Sequence, residues 1–95
     1  MRDFNFKTTD ESHEFCCRIR EALVQFGRLT PEVAVAKINS YWRDMTSIDD
    51  DPLLMHEPPY YYAMCIIHHP TLGDGHPFWW TDVRWWPPPK GWEQF

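Results

Sequence analysis

The stretch that decides the fold is Phe26-Gly27-Arg28-Leu29-Thr30-Pro31-Glu32, where one helix signal ends and another begins. Gly27 stands where a left-handed C-terminal cap is favoured, because glycine adopts that conformation without steric cost. Thr30 supplies an N-cap hydroxyl, and Pro31 occupies the first helical position, where its missing N–H costs nothing. A link this short between two helices is typical of an antiparallel helical hairpin.

The residues before Gly27 predict a first helix from Thr9 to Phe26. Thr8 and Glu11 have the spacing of a capping box, in which two side chains satisfy the first free N–H groups. Apolar residues recur at every third or fourth position and make one stripe. The members of this stripe are Phe15, Ile19, Ala22, Leu23 and Phe26.

The residues after Thr30 predict a second helix that runs from Pro31 to about Met45, before a proline- and aspartate-rich connector over residues 46–59. Its apolar stripe consists of Val35, Ile38, Tyr41, Trp42 and Met45, with Val33 and Ala34 beside it. Both helices therefore have an apolar face to cover, and we expect a third element to lie against them.

The third element is predicted over Tyr60–His69, and its type is open on sequence alone. Its Tyr and Ile residues suit a strand. Helix is favoured because Pro59 can stand at the first helical position, Ala63 lies centrally, and Pro70 ends the segment. As a helix it would be apolar on nearly every side and therefore largely buried.

The C-terminal quarter holds five of the six tryptophans, at positions 79, 80, 85, 86 and 92. We expect an irregular Trp- and Pro-rich segment that wraps over the helices, with a short β-hairpin around Thr81-Asp82 as the alternative. The predicted fold is mainly α, with α+β as the second choice. The expected organisation is one domain over residues 1–95, with a helical body (1–69) and an aromatic wrap (70–95).

Charge and composition exclude two classes of partner. The formal net charge is −5, and the chain has no basic stripe of the kind that attracts a phosphate backbone, so we expect no nucleic acid. The longest apolar stretch, Tyr60 to Ile67, is too short to span a bilayer, so we expect no membrane partner. The cysteines are Cys16, Cys17 and Cys65, an odd number with two adjacent, which favours free thiols and a cytoplasmic location.

A metal site is the sharpest chemical possibility in the sequence. His13 and Cys17 are four positions apart, as are Cys65 and His69, so two helical pairs could form a Cys2His2 tetrahedron. His13 and Cys17 lie off the apolar stripe, however, and the chain has no CxxC knuckle. We therefore expect no metal and no cofactor.

A second possibility is a pocket lined by His56, Glu57, Cys65 and His68, which would make the chain a small ligand-binding domain or enzyme. Cys65 and His68 could touch on a helix, as a nucleophile and its base would. The string that begins at His56 is not a zinc-protease HExxH motif, because Tyr60 stands where the second histidine is needed.

The leading hypothesis is a small non-catalytic protein-binding module, of the kind represented by inhibitors, immunity proteins and antitoxins. Tryptophan is enriched at interface hot spots, and a negative surface speeds association with a basic protein partner. The predicted contact residues are Trp85, Trp86, Trp92, Asp49, Asp50 and Asp51. We expect Trp92 to be exposed, because the preceding prolines and Gly91 hold it away from the core. The third hypothesis is a structural subunit of a homo-oligomer.

Overall fold

A computed structural model describes residues 4–48 and 54–95 of the chain. It contains three α-helices: α1 (Asp10–Gly27), α2 (Pro31–Tyr41) and α3 (Pro59–Ile67). Helices α1 and α2 form a hairpin, and α3 packs mainly against α1. Two short 3-10 turns, at Leu54–His56 and Trp79–Thr81, flank α3 in the sequence. The mainly helical class and the hairpin are thus confirmed.

The first helix begins with a capping box, but one position later than predicted. The hydroxyl of Thr9 accepts the N–H of Ser12 at 3.2 Å, and the hydroxyl of Ser12 accepts the N–H of Thr9 at 2.7 Å. The predicted pair of Thr8 and Glu11 is therefore wrong. Ser12 is fully buried and reaches the cap with its short hydroxyl, so the box needs no carboxylate.

The end of α1 also differs from the prediction. The left-handed residue is Arg28, with φ of 57°, and Gly27 is the last helical residue. Gly27 has another role, because a Cβ atom built on it would lie 3.3 Å from Cγ1 of Ile67. The missing side chain lets the end of α1 approach α3 closely. The predicted stripe is buried apart from Phe26, which is partly covered.

The start of α2 is as predicted, and its end is not. Thr30 accepts the N–H of Val33 at 3.2 Å, and Pro31 is the first helical residue. The helix ends at Tyr41 rather than near Met45, because the chain turns back to pair with the N-terminal segment. Lys7 donates its N–H to the carbonyl of Thr46 at 2.9 Å and accepts the N–H of Ile48 at 3.0 Å.

The third segment is a helix, which decides the question left open by the sequence. Pro59 is its first residue, as expected. No residue of α3 is exposed: Pro59, Tyr60, Ala63, Met64 and Ile66 are buried on one broad face, and the other four residues are half-buried. Helix α1 covers one side of α3, so another part of the chain has to cover the rest.

The turn after α3 folds back tightly onto the end of that helix. Gly73 donates its N–H to the carbonyl of His69, and Asp74 donates to the carbonyl of Ile67. A Cβ atom on Gly73 would lie 1.8 Å from the oxygen of Ile67, so only glycine fits there. The ammonium group of Lys37 on α2 donates to the carbonyl of Leu72 and ties this turn to the hairpin.

The C-terminal segment wraps over the helices, and within the described residues it forms turns rather than the alternative β-hairpin. Its far end is fixed by Trp92, which is 6% exposed. The guanidinium carbon of Arg18 lies 3.5 Å from the centre of the Trp92 ring, and Phe26 meets that ring edge-on at 5.5 Å. Arg18 also donates to the carbonyl of Gly91 at 3.0 Å.

The expectation that Trp92 is exposed is therefore wrong. Gly91, with φ of 92°, turns the chain back toward α1 instead of holding the indole away from it. The Trp92 ring then stacks on the guanidinium group of Arg18, and Nη1 of that group donates a hydrogen bond to Glu21 at 2.7 Å. Of the other tryptophans, Trp79 is buried, Trp85 and Trp86 are half-buried, and Trp80 is exposed.

The same substitution at Trp92 and at Trp80 distinguishes a tryptophan that stabilises the fold from one that is exposed. We expect Trp92→Ala to lower the free energy of unfolding by about 3 kcal/mol or more, because it removes a buried ring and strands Arg18. Trp80→Ala should change it by less than about 1 kcal/mol, since half of that side chain already faces water. Urea unfolding followed by circular dichroism measures both. Equal losses in the two variants would contradict this assignment.

Candidate functional site

The most prominent surface feature is a group of apolar side chains on one turn, residues 78–83, called here the aromatic turn. Phe78 is 60% exposed, Trp80 is 50% exposed and Val83 is 89% exposed. The rings of Phe78 and Trp80 meet edge-on with centroids 5.7 Å apart. Large apolar side chains exposed together in this way often mark an interaction surface.

Local hydrogen bonds give the aromatic turn its shape. Thr81 donates both its N–H and its hydroxyl to the carbonyl of Phe78, at 3.0 and 2.7 Å. The carbonyl of Asp82 then accepts the N–H groups of Trp85 and Trp86 at 2.9 and 3.0 Å. This 3-10 geometry places neighbouring residues on different sides of the turn, so Trp79 faces the core and Trp80 faces solvent.

Buried aromatic contacts anchor the turn to α3. The ring of Trp79 packs against Tyr61 at 5.8 Å and stacks on His68 at 6.1 Å. Trp85 meets His68 at 4.9 Å, and its carbonyl accepts the hydroxyl of Tyr60 at 2.5 Å. Because these anchors lie on both sides of the exposed residues, the apolar surface is held in place before any partner arrives.

The charges around the aromatic turn are paired within the chain. Arg84 donates to both carboxylate oxygens of Asp82, with a shortest distance of 2.7 Å. These hydrogen bonds hold the pKa of Asp82 well below its usual range and raise that of Arg84. The turn is therefore close to neutral, and its apolar side chains are its principal means of making contact.

Beneath the turn lies His68, whose side chain is 1% exposed. Its Nδ1 donates to Asp74 at 2.8 Å, while its Nε2 is buried without a hydrogen-bond partner. A histidine–carboxylate pair can serve as a general base, but this one is covered by Trp79 and Trp85 and has no open path to a substrate. Through these contacts His68 joins Asp74, in the turn after α3, to Trp79 and Trp85.

The residues of the predicted alternative pocket lie in different surroundings. His56 and Glu57 are exposed, whereas the thiol of Cys65 is hydrogen-bonded to Tyr41 and Tyr61. Burial raises the pKa of the Cys65 thiol, although those two hydrogen bonds act in the opposite direction. His68 faces Asp74 instead. None of these four residues lines the surface cleft at the C-terminal end of α2 or the cleft between Gly27 and Gly73.

The two candidate metal-binding pairs also stay apart. Cys17 Sγ lies 3.7 Å from Nδ1 of His13, so this pair shares a face of α1. His69 instead uses its Nδ1 to accept the N–H groups of Thr71 and Leu72. Over residues 4–48 and 54–95, no three His, Cys, Asp or Glu side chains converge on one point. None of the three cysteines, all within the described residues, forms a disulfide.

The predicted contact residues fall into three groups. Trp92 belongs to the core, and Trp85 and Trp86 are half-buried anchors of the aromatic segment. Asp49, Asp50 and Asp51 lie outside the described residues. Sequence reasoning missed the three exposed apolar residues of the aromatic turn, because the tryptophan run does not show which ring faces outward.

Comparisons with known proteins leave the site to be judged on its own geometry. No protein-family model, curated protein sequence or solved structure matches this chain. In the part of the chain that the structure describes, none of the helices combines the length and apolar character needed to cross a bilayer.

The bond between His68 and Asp74 predicts a specific loss of stability in acid. Partial burial acts to raise the pKa of Asp74, but the hydrogen bonds from His68 and from the N–H of His76 outweigh it, so the pKa lies below its ordinary value. A carboxyl group with a lowered pKa stabilises the fold above its unfolded pKa of about 3.9. That contribution is lost as the pH falls through the folded value.

The free energy of unfolding should therefore decrease more steeply between about pH 5 and about pH 2 in the wild type than in Asp74→Asn. Asp44→Asn is the matched control, because Asp44 is 96% exposed and its ion pair with Arg43 is a loose 3.8 Å. Urea unfolding at each pH gives the three curves. Parallel curves for the wild type and Asp74→Asn would show that this bond contributes nothing.

Proposed function

We propose that this protein is a small, non-catalytic, cytoplasmic protein-binding module that contacts one protein partner through the aromatic turn. The observation that carries the proposal is the exposure of Phe78, Trp80 and Val83 on a turn that the buried Trp79 anchors to the core. Large exposed apolar side chains that are grouped on one short turn are of the kind that often marks a binding site.

Rigidity supports this proposal. Binding costs free energy when a loop or a side chain must be ordered on contact. The aromatic turn is already fixed by Trp79 below it and by the hydrogen bonds of Thr81 and Asp82. Trp80 can therefore enter a partner pocket with little loss of conformational freedom, which is a property of interface hot spots.

The charge distribution supports the proposal that different parts of the surface determine the rate of association and the rate of dissociation. The chain carries a formal net charge of −5, while Asp82 within the turn is neutralised by Arg84. The acidic charge elsewhere on the molecule would steer a basic partner toward it, and that effect weakens with salt. The apolar turn would then determine how long the complex lasts.

The test begins with a tagged chain expressed in the cells from which it comes, followed by identification of the retained proteins by mass spectrometry. Kinetics of the purified pair should show that Trp80→Ala speeds dissociation about thirtyfold, which corresponds to a hot-spot loss of about 2 kcal/mol. Val33→Ala is the matched control, because Val33 is 43% exposed on α2, outside the turn. Added salt should slow association and leave dissociation nearly unchanged.

Other results would contradict the proposal. Equal dissociation rates for Trp80→Ala and Val33→Ala would remove the aromatic turn from the interface. A dimer of the purified chain that Trp80→Ala converts to monomer, with no other protein retained, would instead support a homo-oligomeric subunit. A small metabolite that protects Cys65 from alkylation would revive the pocket hypothesis around His56, Glu57 and His68.

A further inference from the structure

A cleft of about 820 Å³ lies between the C-terminal end of α2, the N-terminal segment at Asn5 and the turn that follows α3. No residue of the aromatic turn lines it, so it is a separate feature of the surface. Besides Asn5, its polar lining residues include Asn39, Ser40, Arg43, Asp44, His69 and Thr71. Its volume is within the range of pockets that hold small molecules.

The cleft offers hydrogen-bond donors from two side chains. Nδ1 of His69 accepts the N–H groups of Thr71 and Leu72, each at 3.2 Å, which leaves the ring proton on Nε2. Arg43 is 81% exposed, and its ion pair with Asp44 is a loose one, at 3.8 Å. The guanidinium group therefore keeps most of its donors for another molecule.

The same cleft offers acceptors. Ser40 and Tyr41 stand in the last turn of α2, where backbone carbonyls lack partners within the helix. The carboxylate of Asp44 is 96% exposed. The hydroxyl of Tyr41 is hydrogen-bonded to Cys65, so the part of Tyr41 that is left to line the cleft is its ring and its backbone.

Charge decides which class of ligand this arrangement accepts. An anion would face Asp44 and the negative end of α2, and a cation would face Arg43. A hydroxyl group is both donor and acceptor, so several hydroxyls on one molecule can pair with the alternating groups of the cleft. We propose that the cleft binds a neutral polyhydroxylated molecule of the size of a saccharide unit.

Binding should be weak, because the cleft is open to solvent on one side, and a dissociation constant in the millimolar range is expected. The probes are methyl glucoside, methyl galactoside and methyl mannoside, each titrated into ¹⁵N-labelled protein. At least one should shift the amide signals of Ser40, Tyr41, Asp44 and Thr71 and leave those of residues 78–83 in place. Glucuronic acid and glucosamine, which carry opposite charges, should shift them less.

Arg43→Ala should weaken binding of the neutral glycoside about tenfold, because a donor to the ligand is lost. The variant should fold normally, since the described contact of Arg43 is a loose ion pair on the surface. Lys90→Ala, which alters an exposed cation away from the cleft, should bind as the wild type does.

The proposal is overturned if none of the three neutral glycosides shifts the cleft signals at about 100 mM, far above a millimolar dissociation constant. It is also overturned if a charged analogue shifts them as strongly as the neutral glycosides do. Neither result depends on whether a protein binds the aromatic turn, because the two surfaces share no residue.

Discussion

The cation–π contact between Arg18 and Trp92 is the interaction on which the rest of the fold depends, because it fixes the end of the C-terminal segment that covers α3. No residue of helix α3 is exposed, yet α3 packs mainly against α1 and has few contacts with α2. The C-terminal segment supplies the missing cover through Trp79, Trp85 and Trp86, whose rings lie against α3 or its end. A chain of 95 residues has a modest core, so these rings form a large part of its buried apolar surface.

The same arrangement creates the candidate site. A segment that must place Trp79 and Trp85 on α3 has to leave the residues between them on the outside, where the 3-10 turn directs Trp80 to solvent. The exposed surface therefore follows from the anchoring. Its stability depends on the core beneath it, which is why a variant at Trp80 can test binding while one at Trp92 tests folding.

Much of the helical body could be predicted because its signals are local. The stripe from Phe15 to Leu23 follows the helical period, and Thr30-Pro31 marks a helix start by its chemistry. The wrong predictions concern places where contacts between residues far apart in the sequence determine the structure. Helix α2 ends early because the chain pairs with Lys7, and Trp92 is buried because Arg18 and Phe26 lie against it. The capping box was placed one residue too early, on Thr8 instead of Thr9, because two threonines are adjacent there. For the site, composition indicated aromatic contacts but could not rank six tryptophans by exposure.

The most direct measurement is the thermal unfolding of a chain that lacks residues 85–95, compared with one that lacks only residues 93–95. If the C-terminal segment covers α3, the longer deletion should abolish cooperative unfolding or lower the melting temperature by at least about 15 °C, since each 1 kcal/mol shifts a domain of this size by about 4–8 °C. The shorter deletion keeps Trp92 and should lower the melting temperature by less than about 8 °C, since it removes the edge contact of the half-exposed Phe95 ring with Phe15. A soluble long deletion with unchanged helical content and melting temperature would show that the segment is a free arm and that α3 needs no cover.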